Sequence, residues 1–151
     1  MKRFNIVLLI RHPNIDPNVI SRELKLEPYA SATAGDPRVA LNGKKLSDKN
    51  RISSWSHIFH YKGEVNLSFE LEQLIEFLYI KKDFFLRLAS EGSDTSIFFD
   101  LPGVINQSCM AKLATLKLLI ELEFQFGLEV FPDSPILYKQ SVGITNKIVN
   151  H

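Results

Sequence analysis

The side chains able to do chemistry are few in this sequence, and their spacing decides what each can do. His57 and His60 form a His-x-x-His pair. On a helix two such imidazoles would face one ion. On a strand, residues three apart point to opposite faces and cannot share a metal. The segment Ser53 to Tyr61 alternates as a strand, with Trp55, His57, Phe59 and Tyr61 on one face, so ordinary sheet histidines are expected. Cys109 is the only cysteine. Near a helix start it would become more acidic, but helical spacing sets it with Leu113 and Leu116 on the expected core face, as a small apolar side chain. Gly35 and Gly43-Lys44 have the residue types of a phosphate loop. That loop needs its second glycine five positions after the first, and here the separation is eight.

No Gly-x-Ser-x-Gly elbow, His-Glu-x-x-His helix or paired metal-binding carboxylate motif occurs in the chain. Glu121, Glu123 and Glu129 are expected to form the solvated face of a last strand. No catalytic residue, metal or cofactor is therefore assigned. A triad assembled from distant positions leaves no local signature, so catalysis stays open, with a non-enzymatic role the better fit.

The sharpest feature is a basic loop. From Gly35 to Arg51 the chain carries Arg38, Lys44, Lys45, Lys49 and Arg51 against Asp36 and Asp48, a net +3, and Trp55 follows closely. Arg38, Lys44, Lys45, Arg51 and Trp55 are the candidate contact residues. A basic hairpin beside an aromatic suits an acidic protein surface, a small anionic ligand such as a phosphate, or a nucleic-acid backbone. The alternative is a merely solvated loop with Trp55 in the core.

The elements that must position this loop follow from periodicity. Phe4 to Arg11 is apolar on both faces, which predicts a central strand. Asp16-Pro17 predicts a helix start, with Ile20 and Leu24 as its buried stripe and Pro28 as its stop. Residues 27–51 read as a long loop in which Asn42-Gly43 signals a projecting hairpin. After the Ser53 to Tyr61 strand, Asn66 or Ser68 caps a helix with Leu67, Leu71, Leu74, Ile75 and Leu78 at helical spacing. Ile80-Lys81-Lys82 separates it from a second helical segment, Asp83 to Ser90, which Gly92 ends. Part of this pair's apolar stripe is a candidate dimer face. Thr95 to Leu101 alternates as a strand until Pro102-Gly103. Gln107 to Leu116 is predicted helical and Leu118 to Phe126 a strand, because Ile120, Leu122, Phe124 and Phe126 alternate with polar residues. Ile136 to Tyr138 is a weak further strand.

The order predicts an α+β protein: a two-layer sandwich of one mostly antiparallel or mixed sheet, with helices packed on one face and right-handed crossovers. The expected organisation is a single domain over residues 1–126 and a C-terminal extension, 127–151, packing on it. The 151 residues are 45% hydrophobic and 23% charged, enough to bury a core without staples. A net charge of +1 gives no overall field to attract nucleic acid or anionic lipid. The apolar run after Lys2-Arg3 is broken by Arg11-His12-Pro13, too soon for a signal peptide, and no stretch is long enough to span a bilayer. With one cysteine, a cytoplasmic location is expected, as a monomer or weak homodimer without membrane contact.

One resemblance emerges from these residues. Asp16-Pro17, Ile20-Ser21-Arg22, Leu24, Leu26-Glu27-Pro28, Gly35, Ser54-Trp55, Leu113-Ala114, Leu116 and the alternation to Phe126 resemble the uncharacterised bacterial family catalogued as domain of unknown function 4279. Lys25 and Lys117 stand where that family often has glycine. The resemblance spans about the first 126 residues. It implies a small bacterial α+β protein and brings no established activity or catalytic residue. The expected function is a protein-binding module of the kind that small bacterial immunity or accessory proteins represent, with an anion-binding protein, enzymatic or not, as the alternative.

Overall fold

The computed structural model describes residues 3–63, 65–102 and 109–131. Seven strands and four helices follow one another among them: β1 (Arg3–His12), α1 (Pro17–Leu24), β2 (Ala30–Ala32), β3 (Pro37–Val39), β4 (Lys45–Lys49), β5 (Ser53–Lys62), α2 (Leu67–Tyr79), α3 (Lys82–Ser90), β6 (Asp94–Pro102), α4 (Leu113–Glu121) and β7 (Phe124–Phe131). The main sheet runs β2-β5-β1-β6-β7, and β3-β4 forms a separate two-stranded ribbon. Every pairing is antiparallel except β6 with β7, so the sheet is mixed and the fold is α+β.

β1 is central because it is apolar on both faces. Phe4, Ile6, Leu8 and Ile10 join the helices in one core, while Val7, set between Ile58 and Phe98, and Leu9 are buried on the opposite face. The core receives Ile20 and Leu24 from α1, Leu67, Leu71, Leu74, Ile75 and Leu78 from α2, and Phe84, Phe85 and Leu88 from α3. These stripe residues of α2 and α3 are thus core, while Phe69, Phe77 and Ile80 stay exposed.

Local chemistry sets the helix ends. Asp16 Oδ1 accepts from Asn18 N at 2.9 Å, with Pro17 at the first helical position. Asn66 Oδ1 does the same for Ser68 N and Phe69 N. The chain leaves α1 earlier than the proline stop suggested, through Lys25 in the left-handed conformation, φ 54. A glycine would adopt that conformation without strain.

The segment after β6 differs from expectation. Residues 109–112 are not helical, α4 runs Leu113–Glu121, and β7 starts at Phe124 rather than Leu118. The apparent alternation from Ile120 to Phe126 straddles a helix end and a strand start. Thr115, Leu119 and Leu122 are the buried positions, at helical spacing, and Glu123 at φ 59 makes the break. The three glutamates therefore do not share a strand face. Glu121 accepts from Tyr79 Oη at 2.6 Å and lies 3.4 Å from Lys82 Nζ, tying α4 to the α2–α3 junction. Only Glu129 lies on β7. The expected extension from 127 enters the sheet as far as Phe131, and the proposed strand Ile136 to Tyr138 lies outside the described residues.

Candidate functional site

The Gly35–Arg51 loop is an ordered arm. Gly35, at φ 87, donates to Asn50 O and Asn50 N donates to Asp36 O, both at 2.9 Å, which closes the base of the arm. Asn50 Nδ2 donates to Thr33 O, and Ala34 N donates to Ser53 Oγ, so the base is fixed to the start of β5. At the tip, Gly43 N donates to Ala40 O and Ala40 N to Lys44 O, both at 2.8 Å. The Asn42-Gly43 signal thus produces a four-residue turn, Ala40–Gly43, with Gly43 left-handed at φ 81.

Residues 41–49 are all exposed. Arg38 Nη1 donates to Asp48 Oδ2 at 2.6 Å across the ribbon, and this hydrogen bond, more than any other influence, holds the Asp48 carboxyl below its ordinary range. Lys44, Lys45 and Arg51 project without a paired carboxylate among the described residues. Beside them Val39, Leu41 and Leu46 are 38–62% exposed. The arm combines cationic ends with exposed aliphatic surface and, among the described residues, two ribbon edges without a further strand partner.

Trp55 does not join it. The indole is fully buried, and its Nε1 donates to Ser21 Oγ of α1 at 2.9 Å. Of the two readings open for this residue, core is the one observed: β5 alternation turns Trp55 toward the helices and away from the arm. Arg38, Lys44, Lys45 and Arg51 do share the arm. A shallow pocket of about 190 Å³ lies at its base, with Ser31, Thr33, Asp36, Arg38 and Asn50 as polar lining. That is below the roughly 300–1,000 Å³ usual for small-molecule sites.

His57 and His60 face opposite sides of β5, as alternation requires: His57 Nδ1 contacts Glu27 O at 2.6 Å, and His60 Nδ1 contacts Asn5 Oδ1 at 2.9 Å. Among the described residues no group of three His, Cys, Asp or Glu is placed to hold a metal ion. Cys109 is half-buried against the core, its Sγ 3.8 Å from Ser68 Oγ.

Two features were not anticipated from the sequence. His12 is buried, with Nδ1 accepting from Asn14 N and Ile15 N, which puts the hydrogen on Nε2, 2.9 Å from Glu91 Oε2. This is a structural clamp between β1 and the end of α3. On the sheet face away from the helices, His60, Asn5, Asp100 and Glu129 stand in one row across β5, β1, β6 and β7. Asn5 Nδ2 donates to Asp100 Oδ2 at 3.2 Å. Burial raises the Asp100 carboxyl above its ordinary value, with Asn5 opposing. Burial, then the charge of Asp100, raises Glu129. Period-2 alternation read from Asn5 and Asp100 together would have placed them on one face; their pairing needed the sheet order.

No helix among the described residues is long and apolar enough to cross a membrane. No curated protein and no solved structure matches the chain. The family model described as Domain of unknown function (DUF4279) matches residues 2–130, from the start of β1 almost to the end of β7. By that match over nearly the whole sheet and every described helix, this chain belongs to the DUF4279 family.

Proposed function

We propose that this protein is a non-catalytic binding module, of the kind that small bacterial immunity or accessory proteins represent, and that the β3–β4 arm engages an acidic protein surface. The observation that carries the reading is the arm itself: a ribbon hydrogen-bonded at base and tip, exposed along residues 41–49, net +3 in a chain of net +1. Such an arm presents Lys44, Lys45 and Arg51 to carboxylates while Val39, Leu41 and Leu46 supply the apolar area that charge alone does not. Because the ribbon is pre-ordered, little conformational entropy is lost on binding.

The test is affinity capture from host lysate with the intact chain and with a variant carrying Arg38→Ala, Lys44→Ala, Lys45→Ala and Arg51→Ala. An acidic partner held by the intact chain, released as salt rises, and not held by a variant of unchanged melting temperature upholds the reading. Equal retention by both proteins refutes it. The pocket beside Arg38 favours a second reading, a small-anion site. Titration with inorganic phosphate examines it directly, and heat evolved with the intact chain but not with Arg38→Ala would move the assignment there.

A further inference from the structure

α4 carries two apolar faces where a surface helix carries one. Thr115, Leu119 and Leu122 point into the core, while Leu113, Leu116 and Ile120 form a second stripe at i, i+3 and i+7 that faces outward. β7, which contacts α4, turns Phe126, Leu128 and Val130 to the helix side of the sheet, in register with Ile97, Phe99 and Leu101 of β6. The three stripe residues of α4 and these three of β7 are 37–85% exposed. β7 is an end strand whose one partner among the described residues is β6. Edge strands are commonly protected by lysine, proline or extreme shortness. β7 has eight residues and carries Glu129 as its one charge.

We infer that a second copy of this chain covers this surface, the two β7 strands pairing antiparallel about a two-fold axis so that the five-stranded sheet continues into its partner. An antiparallel edge is self-complementary under a two-fold: each copy supplies the backbone donors and acceptors the other requires. The α4 stripes then close over the junction. At ~150–200 Å² per side chain of this size, the six residues expose on the order of 600 Å². With the newly paired strand edges this approaches the ~800 Å² per partner of a standard stable interface. Pairing centred near Leu128 sets each Glu129 across from Gly127 of the partner subunit and only diagonal to the partner's Glu129, on the sheet face away from the helices.

Analytical ultracentrifugation of the full chain over three decades of concentration tests the inference, with Leu128→Lys on the edge, Ile120→Lys on the outer stripe and Lys44→Ala on the remote arm. Circular dichroism confirms that each variant is folded. The expected result is a concentration-dependent dimer, weakened at least tenfold by Leu128→Lys and by Ile120→Lys separately and unchanged by Lys44→Ala. Hydrogen exchange supplies a second readout: β7 amides should lose protection on dilution. A monomer at every concentration, a dimer indifferent to both lysines, or β7 amides equally protected in the monomer would each overturn the inference.

Discussion

Replacing Ser21 by Ala and Trp55 by Phe, singly and together, separates a structural tryptophan from a contact one. Trp55 is fully buried and gives its indole N–H to Ser21 Oγ at 2.9 Å. Ser21→Ala leaves that donor without its partner, which costs about 1–3 kcal/mol. Trp55→Phe removes the donor and part of the ring, so hydrogen-bond loss and cavity together amount to about 2–4 kcal/mol. Once the indole is absent, Ser21→Ala has little left to break. The double variant should therefore be more stable than additivity predicts, by about 1 kcal/mol. Urea unfolding followed by circular dichroism measures all four proteins. In the Ser21→Ala and parent proteins, the single tryptophan also reports its own burial through blue-shifted emission and poor quenching by acrylamide. Additive losses, or quenching as free in the native as in the unfolded protein, would sink the assignment of Trp55 to the core. Loss of partner binding in a fully stable Trp55→Phe protein would restore it as a contact residue.

Lys25→Gly should raise stability by about 0.5–1 kcal/mol, because a non-glycine residue at φ 54 is strained; an unchanged or lower urea midpoint contradicts this. Lys44→Ala with Lys45→Ala should leave the melting transition within about 0.5 kcal/mol of the parent, since both side chains are exposed and without a paired carboxylate among the described residues. Asp100 and Glu129 both have folded-state values above their ordinary ones. The folded state therefore binds protons more readily, the penalty is absent below the unfolded values near ~4, and it grows as pH rises through the folded values. Asp100→Asn should accordingly stabilise the protein at neutral pH and flatten the pH dependence of its urea midpoint above pH ~4; a midpoint equally steep in both proteins would refute the coupling.

Much of the fold was legible because it rests on local rules. Phe4 to Ile10 announced a buried central strand by lacking a polar face, Asp16-Pro17 and Asn66 announced helix starts, and Asn42-Gly43 announced the turn of the arm. The boundary between α4 and β7 was not legible. Around a helix end, the last turn of period 3.6 and the first residues of a period-2 strand superpose into a false alternation, and only the packing of Leu119 and Leu122 against the core resolves it. β2 was missed because three residues, Ala-Ser-Ala, carry no pattern; it forms where β5 offers an edge.

The candidate site divides the same way. The sequence by itself determined the charge of the arm and the existence of its turn, since both are properties of neighbouring residues. It also determined that His57 and His60 cannot meet at one ion, because strand alternation is fixed by backbone geometry. Tertiary structure alone decided that Trp55 belongs to the core, that Arg38 is tied to Asp48, and that Asn5, Asp100, Glu129 and His60 share a row. It alone left the outer face of α4 and the edge of β7 uncovered among the described residues. These are matters of which surfaces meet, and no residue's type or spacing specifies its neighbours across the sheet until the strand order is set.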